Sequence, residues 1–438
     1  MAYEDLPLPE PGDTVVVGLS GGVDSTMTAL LLKERGCNVI GVTMSLWKGD
    51  LPVLPEEVHL HDSCYGPGEA ADIEECRAFC AVHGIEYHVI DVKDAYQEQV
   101  LDYFKAEYRA GRTPNPCIRC NRFIKFGALL AGIKKIGIEY DYFCTGHYAR
   151  IVRGTVPVEE RFRTAEGAPE EENPAQLATK FPAQYATQDA SRGVASCPAQ
   201  YATKFPAQLA TKFPAQIACA SDTTKDQAYF LYRIPSDVLE KVRFPLSRHT
   251  KREVYRMARE RGLAAAERAE SQDFIPPEYF EHLFSDMPSV PGNFIDLDGH
   301  VLGTHRGIEH YTIGQRRGLG VSSSAPLYVA AIDKEKNLVV LGRDSDLFCG
   351  SLIADDMVWP AGYEPCSAFD AMVKIRLASR PVPARIEPYE PADGETFSGR
   401  AYRVTFAEPQ RAVAPGQSVV FYMDGVIAGG GVISRAEK

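Results

Sequence analysis

Three features predict an α/β chain with a parallel-sheet domain first, a small mixed middle domain next and a β-barrel last. Short β-branched runs alternate with helical patterns through the first 150 residues, and a glycine pair falls between the first strand and the first helix. Beyond about Ser351 short alternating strands are punctuated by Gly and Pro. Strand and helix in alternation give a parallel sheet covered on both faces, with ligands bound beyond the carboxyl ends of its strands. A small barrel is the simplest closure for the later strands.

The pattern predicts strands at Thr14 to Leu19, Val39 to Met44, Tyr87 to Val92 and Tyr142 to Thr145, with helices at Val23 to Arg35 and Ala70 to His83. From about Arg161 to Gln216 the character changes. Pro-Ala-Gln recurs at 174, 182, 198, 206 and 214, most often in steps of eight. Proline at that spacing forbids a continuous helix, and the period is short for a solenoid, so residues 158–218 are read as a low-complexity insertion without a catalytic role. After it come a helix at Lys251 to Arg261, an irregular stretch around Ser271 to Pro291, and strands at Ala371 to Leu377, Ala401 to Phe406, Ser418 to Tyr422 and Val426 to Ile433. The expected domains are 1–222, 223–350 and 351–438.

Length and composition agree with two or three soluble domains: 438 residues, 45% hydrophobic and 24% charged. No apolar run approaches the roughly 18 residues of a membrane span and the start lacks a secretory pattern, so a cytoplasmic location is expected. The eleven cysteines then read as reduced thiols. A net charge of −12 argues against nonspecific nucleic-acid binding, yet eight Lys or Arg against one acid lie between Lys105 and Lys135, and eight against two between Lys241 and Arg261. Two basic islands on an acidic chain suit a polyanion held in one orientation, or two solvated helix faces.

Gly18-Leu19-Ser20-Gly21-Gly22-Val23-Asp24-Ser25 runs from the first strand into the first helix. Its amides and the helix amino terminus form a nest for phosphate oxygens, with Ser20 and Ser25 adding hydroxyl donors. Asp24 would repel phosphate, so it is assigned to the accompanying Mg2+. Neither Gly-Lys-Ser/Thr nor Gly-x-Gly-x-x-Gly is present. The loop resembles that of the PP-loop ATP pyrophosphatases, which implies that it holds the pyrophosphate of ATP while AMP passes to an acceptor oxygen.

Arg112-Thr113-Pro114-Asn115-Pro116-Cys117-Ile118-Arg119-Cys120-Asn121-Arg122 places two thiols in the first basic island. Neighbouring cations are expected to favour the thiolate. A Cys-x-x-Cys also serves as half a zinc site or a redox pair, and Cys76 and Cys80, the remaining pair, share a helical face better suited to core packing. The stretch is similar to the cysteine loop of the tRNA-specific 2-thiouridylases (MnmA). Four more segments fit that family in order: Thr145 to Ala149, Lys225 to Tyr232, His310 to Gly320 and Pro415 to Tyr422.

The resemblance implies adenylation of O2 of the wobble uridine, attack on C2 by a persulfide sulfur and departure of AMP. It implies Cys120 as nucleophile, Asn115, Pro116 and Cys117 at the target base, and Met44 and Gly146 at ATP. His147, Lys225, Asp226, Gln227, Arg376 and Gln417 fall where the family touches tRNA. Sulfur is expected from a cysteine desulfurase or a relay protein. Two departures stand out: Cys117 replaces the family's Asp, and Glu270-Ser271-Gln272-Asp273-Phe274-Ile275-Pro276 lacks the second catalytic cysteine. Either Cys117 takes that part, or Cys219, Cys64 or Cys144 reaches in, or three cysteines hold a [4Fe-4S] cluster with an open iron. A PP-loop amidotransferase acting on a small molecule and a tRNA-binding protein without catalysis are the competing readings.

Overall fold

The computed structural model describes residues 3–51, 64–156, 158–166, 213–267, 274–275, 279–286 and 288–437. Most copies of the repeat, and the Glu270 to Asp273 motif, lie outside them. The chain forms two compact units, one made of residues 1–102, 116–154 and 215–286, the other of 103–115, 155–214 and 287–438. Lys225 to Gln227 and the second basic island therefore belong to the unit of the parallel sheet. The boundary expected at 222/223 falls inside it.

In the first unit, β1 (Tyr3–Asp5) is followed by β2 (Thr14–Gly18), α1 (Val23–Glu34), β3 (Asn38–Ser45), α2 (Glu69–Val82), β4 (Glu86–Asp91), β5 (Tyr142–Cys144), β6 (Arg150–Gly154), β7 (Ala215–Ala218) and β8 (Val242–Arg243). Strands β4-β3-β2-β5-β8 make an all-parallel sheet. Val15, Val16 and Val17 of β2 have no exposure, as a central strand covered on both faces requires. Ala29 and Leu32 of α1 pack with the sheet and with Cys76 and Cys80 of α2. Val23, Met27 and Leu30 meet Val254 and Ala258 of the helix Lys251–Glu260. The chain runs outward from β2 to β4 and returns to β5 on the other side of β2, so the order reverses between β2 and β5 and opens a crevice there.

The repeat insertion is shorter than the sequence suggests. Ala215 to Ala218, which takes in Ala215 and Gln216 of the last Pro-Ala-Gln copy, is a fully buried strand paired antiparallel with β6. At the other end Val158–Glu166 is helical, and in the second unit Phe162 packs against Trp359, Tyr363 and Phe369. Composition cannot distinguish a repeat copy that pairs with a neighbouring strand from one that does not.

The second unit contains β9 (Gly292–Ile295), β10 (Val301–His305), β11 (Tyr328–Asp333) and β12 (Leu338–Gly342) in the order β10-β9-β12-β11. The sequence reading missed this sheet, although Asp298-Gly299, with Gly299 at φ +90°, is a hairpin signal. β13 (Phe348–Val358), β14 (Phe369–Lys374), β15 (Val382–Tyr389), β16 (Ala401–Arg411), β17 (Ser418–Met423) and β18 (Val426–Glu437) close an antiparallel six-stranded barrel, β17 pairing with both β14 and β18. Its β15 was missed because Pro383 and Pro388 argue against a strand. No helix among the described residues is long and apolar enough to cross a membrane.

Candidate functional site

The glycine turn lies at the reversal point of the sheet. Gly21 takes φ +75°, a conformation open to glycine at little cost, and Gly22 caps α1 with extended backbone while no side chain caps the first turn. The leading amides of a twelve-residue helix are thus left for an external anion. Ser25 Oγ donates to Gly22 O at 2.9 Å and accepts from Ser20 N at 3.2 Å, and the two serine hydroxyls are 3.3 Å apart. These residues fit a phosphate group. Leu19 and Val23 contribute to the core instead, 4% and 5% exposed, and Gly18 ends β2. Met44 is half-buried near the carboxyl end of β3.

Asp24 does not fit the magnesium ligand expected of it. Its Oδ1 accepts the Tyr148 hydroxyl at 2.8 Å and its Oδ2 the Lys251 ammonium at 2.7 Å. A lysine nitrogen on the carboxylate repels a divalent cation there. Gly146, on the loop after β5, allows that loop onto the turn: a Cβ on it would lie 2.8 Å from the Asp24 carbonyl carbon.

The same loop leads to the cysteines. His147 Nδ1 is 2.7 Å from Thr145 Oγ1, and its ring lies 6.0 Å from Phe126 and 5.7 Å from Phe244. Burial first, and the Lys125 charge second, hold its pKa well below the ordinary histidine value. Lys125 and Phe126 belong to the π-helical stretch Cys120–Ala128, which follows the helix Pro116–Arg119 and is broken by Phe126 at φ −103°, ψ 17°. Such stretches recur at functional sites. Pro116 starts its helix where a proline costs no hydrogen bond.

The expectation of arginine-activated thiols is overturned. Burial pushes Cys117 up to about 12 and Cys120 up to about 11, and only Lys125 among the cations pulls appreciably the other way. Arg119 instead donates to Gln99 O and Oε1 at 3.0 and 3.2 Å and covers the Phe123 ring at 4.5 Å. In the other unit Arg112 pairs with Glu107.

Cys64 is the third thiol of this neighbourhood. Burial first, then the nearby Cys120, Cys64 and Cys117, hold the buried Tyr96 hydroxyl well above its ordinary pKa. The Tyr96 ring stacks on Tyr65 at 5.3 Å and meets Phe274 at 6.4 Å. Phe274 is adjacent to Ile275, which stands where the family carries its second cysteine. Cys144 is fully buried in the sheet core with Cys37, Cys76 and Cys80, which removes it as a sulfur carrier. The Cys219 carbonyl accepts Arg150 Nε at 2.9 Å.

Besides His147, further residues read as tRNA contacts have internal partners. Asp226 Oδ1 accepts Ala220 N at 2.8 Å, and Gln227 Oε1 accepts Tyr148 N at 2.9 Å, while Lys225 is exposed. In the second unit Asn115 is half-buried, Arg376 lies on an exposed turn closed by Ser379, and Gln417 Nε2 donates to Pro114 O at 3.3 Å. Sequence reading missed Tyr148 and Lys251. Tyr148 lies within a motif it noted, but neither residue has a local signature pointing to Asp24.

Comparison with known proteins agrees with this geometry. Residues 13–173 and 179–276 match the family described as tRNA methyl transferase HUP domain, 281–343 the tRNA methyl transferase PRC-barrel domain, and 350–433 the aminomethyltransferase beta-barrel domain. A tRNA-specific 2-thiouridylase MnmA of Endomicrobium trichonymphae is 38% identical over 96% of this chain and 98% of its own. One of Roseiflexus castenholzii is 37% identical over 96% and 99%. With the fold, the glycine turn and the cysteine loop all in place across nearly the full length of both relatives, the chain belongs to the tRNA-specific 2-thiouridylase (MnmA) family.

Proposed function

We propose that this chain is a tRNA-uridine 2-sulfurtransferase: ATP activates O2 of the wobble uridine, and sulfur held at Cys120 replaces it. The observation that carries the reading is a series of contacts within one unit. The glycine turn touches the loop after β5 at Gly146, His147 of that loop packs on Phe126, and Phe126 lies on the same helical stretch as Cys120. ATP lies with its phosphates on Gly21, Gly22, Ser20 and Ser25, and Mg2+ accompanies it without Asp24 as a ligand. The uridine O2 attacks the α phosphorus and pyrophosphate leaves. Oxide is a poor leaving group and AMP a good one, so C2 becomes open to a sulfur nucleophile.

The terminal sulfur of a Cys120 persulfide bonds to C2 as AMP departs. A second thiol then attacks Cys120 Sγ, forming a disulfide and releasing the 2-thiouridine, and an external thiol reductant restores the pair. Cys117, three positions away, serves as that thiol. A second way of holding the sulfur would have Cys64, Cys117 and Cys120 as ligands of a [4Fe-4S] cluster, which would supply an open iron site for sulfide. The sulfur comes from a desulfurase or relay protein, and in the unit of the parallel sheet Pro116 and Lys225 contact the tRNA.

Anaerobic purification with iron and sulfide assay, then thiolation of a wobble-uridine tRNA by wild type and by Cys64→Ser, Cys117→Ser and Cys120→Ser, tests this. Loss of 2-thiouridine in Cys120→Ser is expected. Iron-free active protein that tolerates Cys64→Ser would leave the persulfide route alone. Full thiolation by Cys120→Ser, or pyrophosphate release indifferent to a wobble uridine, would refute the assignment.

A further inference from the structure

Lys251 is 8% exposed, and its ammonium donates to Asp24 Oδ2 at 2.7 Å. The nitrogen lies 4.9 Å from the Tyr255 ring centre and 5.8 Å from that of Tyr148. A lysine buried this far is unfavourable unless its charge is paired. Its helix is fixed at this end: Thr250 and Glu253 form a capping box, and Lys251 N donates to Asp222 Oδ2 at 3.0 Å. The paired carboxylate is therefore held from two sides, by a lysine on a pinned helix and by the Tyr148 hydroxyl.

Asp24 sits in the first turn of α1, two positions after Gly22. A carboxylate there suits the helix dipole but opposes any phosphate that binds the same amides. We propose that Lys251 is a positioning residue of the nucleotide site, neutralising Asp24 and holding the first turn of α1 in place for the pyrophosphate part of ATP. The inference rests on the glycine turn being the ATP site. The partners are 227 positions apart, so no local motif joins them.

Calorimetric binding of α,β-methylene ATP with Mg2+ to the full chain tests this. Lys251→Met is expected to weaken binding roughly tenfold or more, since it leaves a bare carboxylate beside the phosphates. Lys251→Arg keeps the affinity near wild type, and Asp24→Asn combined with Lys251→Met recovers most of the loss. In pyrophosphate release, Lys251→Met raises the KM for ATP more than it lowers kcat. Unchanged affinity in Lys251→Met, or no recovery in the double variant, would overturn the proposal. Should Lys251→Met not fold, Asp24→Asn alone reads the same pair: affinity that holds or rises supports neutralisation, and a tenfold fall makes Asp24 a ligand in its own right and overturns it. The ATP-site reading fails separately, if wild type binds no analogue or Gly22→Val binds it undiminished.

Discussion

Gln227 and Tyr148 exchange two hydrogen bonds: Gln227 Oε1 accepts Tyr148 N at 2.9 Å, and Tyr148 O accepts Gln227 N at 2.8 Å. Tyr148 is 2% exposed and its hydroxyl ends on Asp24. The Lys225 to Gln227 segment, read from family resemblance as a tRNA contact, is thereby tied to the loop that packs on the glycine turn. Gln227→Ala strands the buried Tyr148 amide and is expected to cost about 1–3 kcal/mol of stability. A urea midpoint that does not move, with tRNA binding lost, would make Gln227 a surface contact instead.

Gly146→Ala brings a methyl group to 2.8 Å from the Asp24 backbone. Backbone on both sides leaves little room to relax, so the loop and the turn must part. Analogue binding is expected to weaken at least about tenfold, and the fold to lose roughly 1–3 kcal/mol. Wild-type affinity in this variant would mean that the contact does not shape the nucleotide site.

The thiols set a pH dependence on the alkaline side. With Cys117 raised to about 12 and Cys120 to about 11, the native chain keeps protons that an unfolded chain gives up near 9. Stability is therefore full below about pH 9 and falls as pH rises from there toward 12. Alkylation of both thiols by iodoacetamide in the apo protein is slow at pH 7.5 and climbs with pH, and Lys125→Met slows it further by removing the favourable charge. Fast alkylation at neutral pH would contradict the burial.

His147 acts on the acid side. Its pKa is depressed, so the unfolded chain takes up a proton near 6.5 that the native chain refuses, and stability falls as pH drops below that value. An imidazole signal for His147 that does not shift through the range in which a free histidine titrates, and a melting temperature less acid-sensitive in His147→Asn, are expected. Titration near 6.5 would place the ring in solvent.

Phe162 tests the end of the insertion. It is 2% exposed and edge-on to Trp359 at 6.0 Å in the barrel core. Phe162→Ala is expected to destabilise the barrel by about 3–5 kcal/mol. The chain has two tryptophans, so Trp47→Phe leaves Trp359 emission as a reporter of this unit alone. An unchanged Trp359 unfolding curve would show that the helix Val158–Glu166 is dispensable to the barrel.

The sequence by itself determined the parallel sheet, the glycine turn into α1 and the cysteine loop. These rest on contiguous residues: β-branched runs such as Val15 to Val17, the Gly21-Gly22 pair with Gly21 at φ +75°, and Cys117 and Cys120 one helical turn apart. Family resemblance added the order of motifs. Only the tertiary structure decided what Asp24 pairs with, that Cys64 joins the thiols, and that burial outweighs the arginines around Cys117 and Cys120. It also decided that Ala215 to Ala218 is a core strand within repeat-like sequence. Charge interaction and desolvation depend on distance and on exclusion of water, and neither is set by position along the chain. Lys251 and Asp24, 227 residues apart, become partners only when the helix Lys251–Glu260 packs against α1.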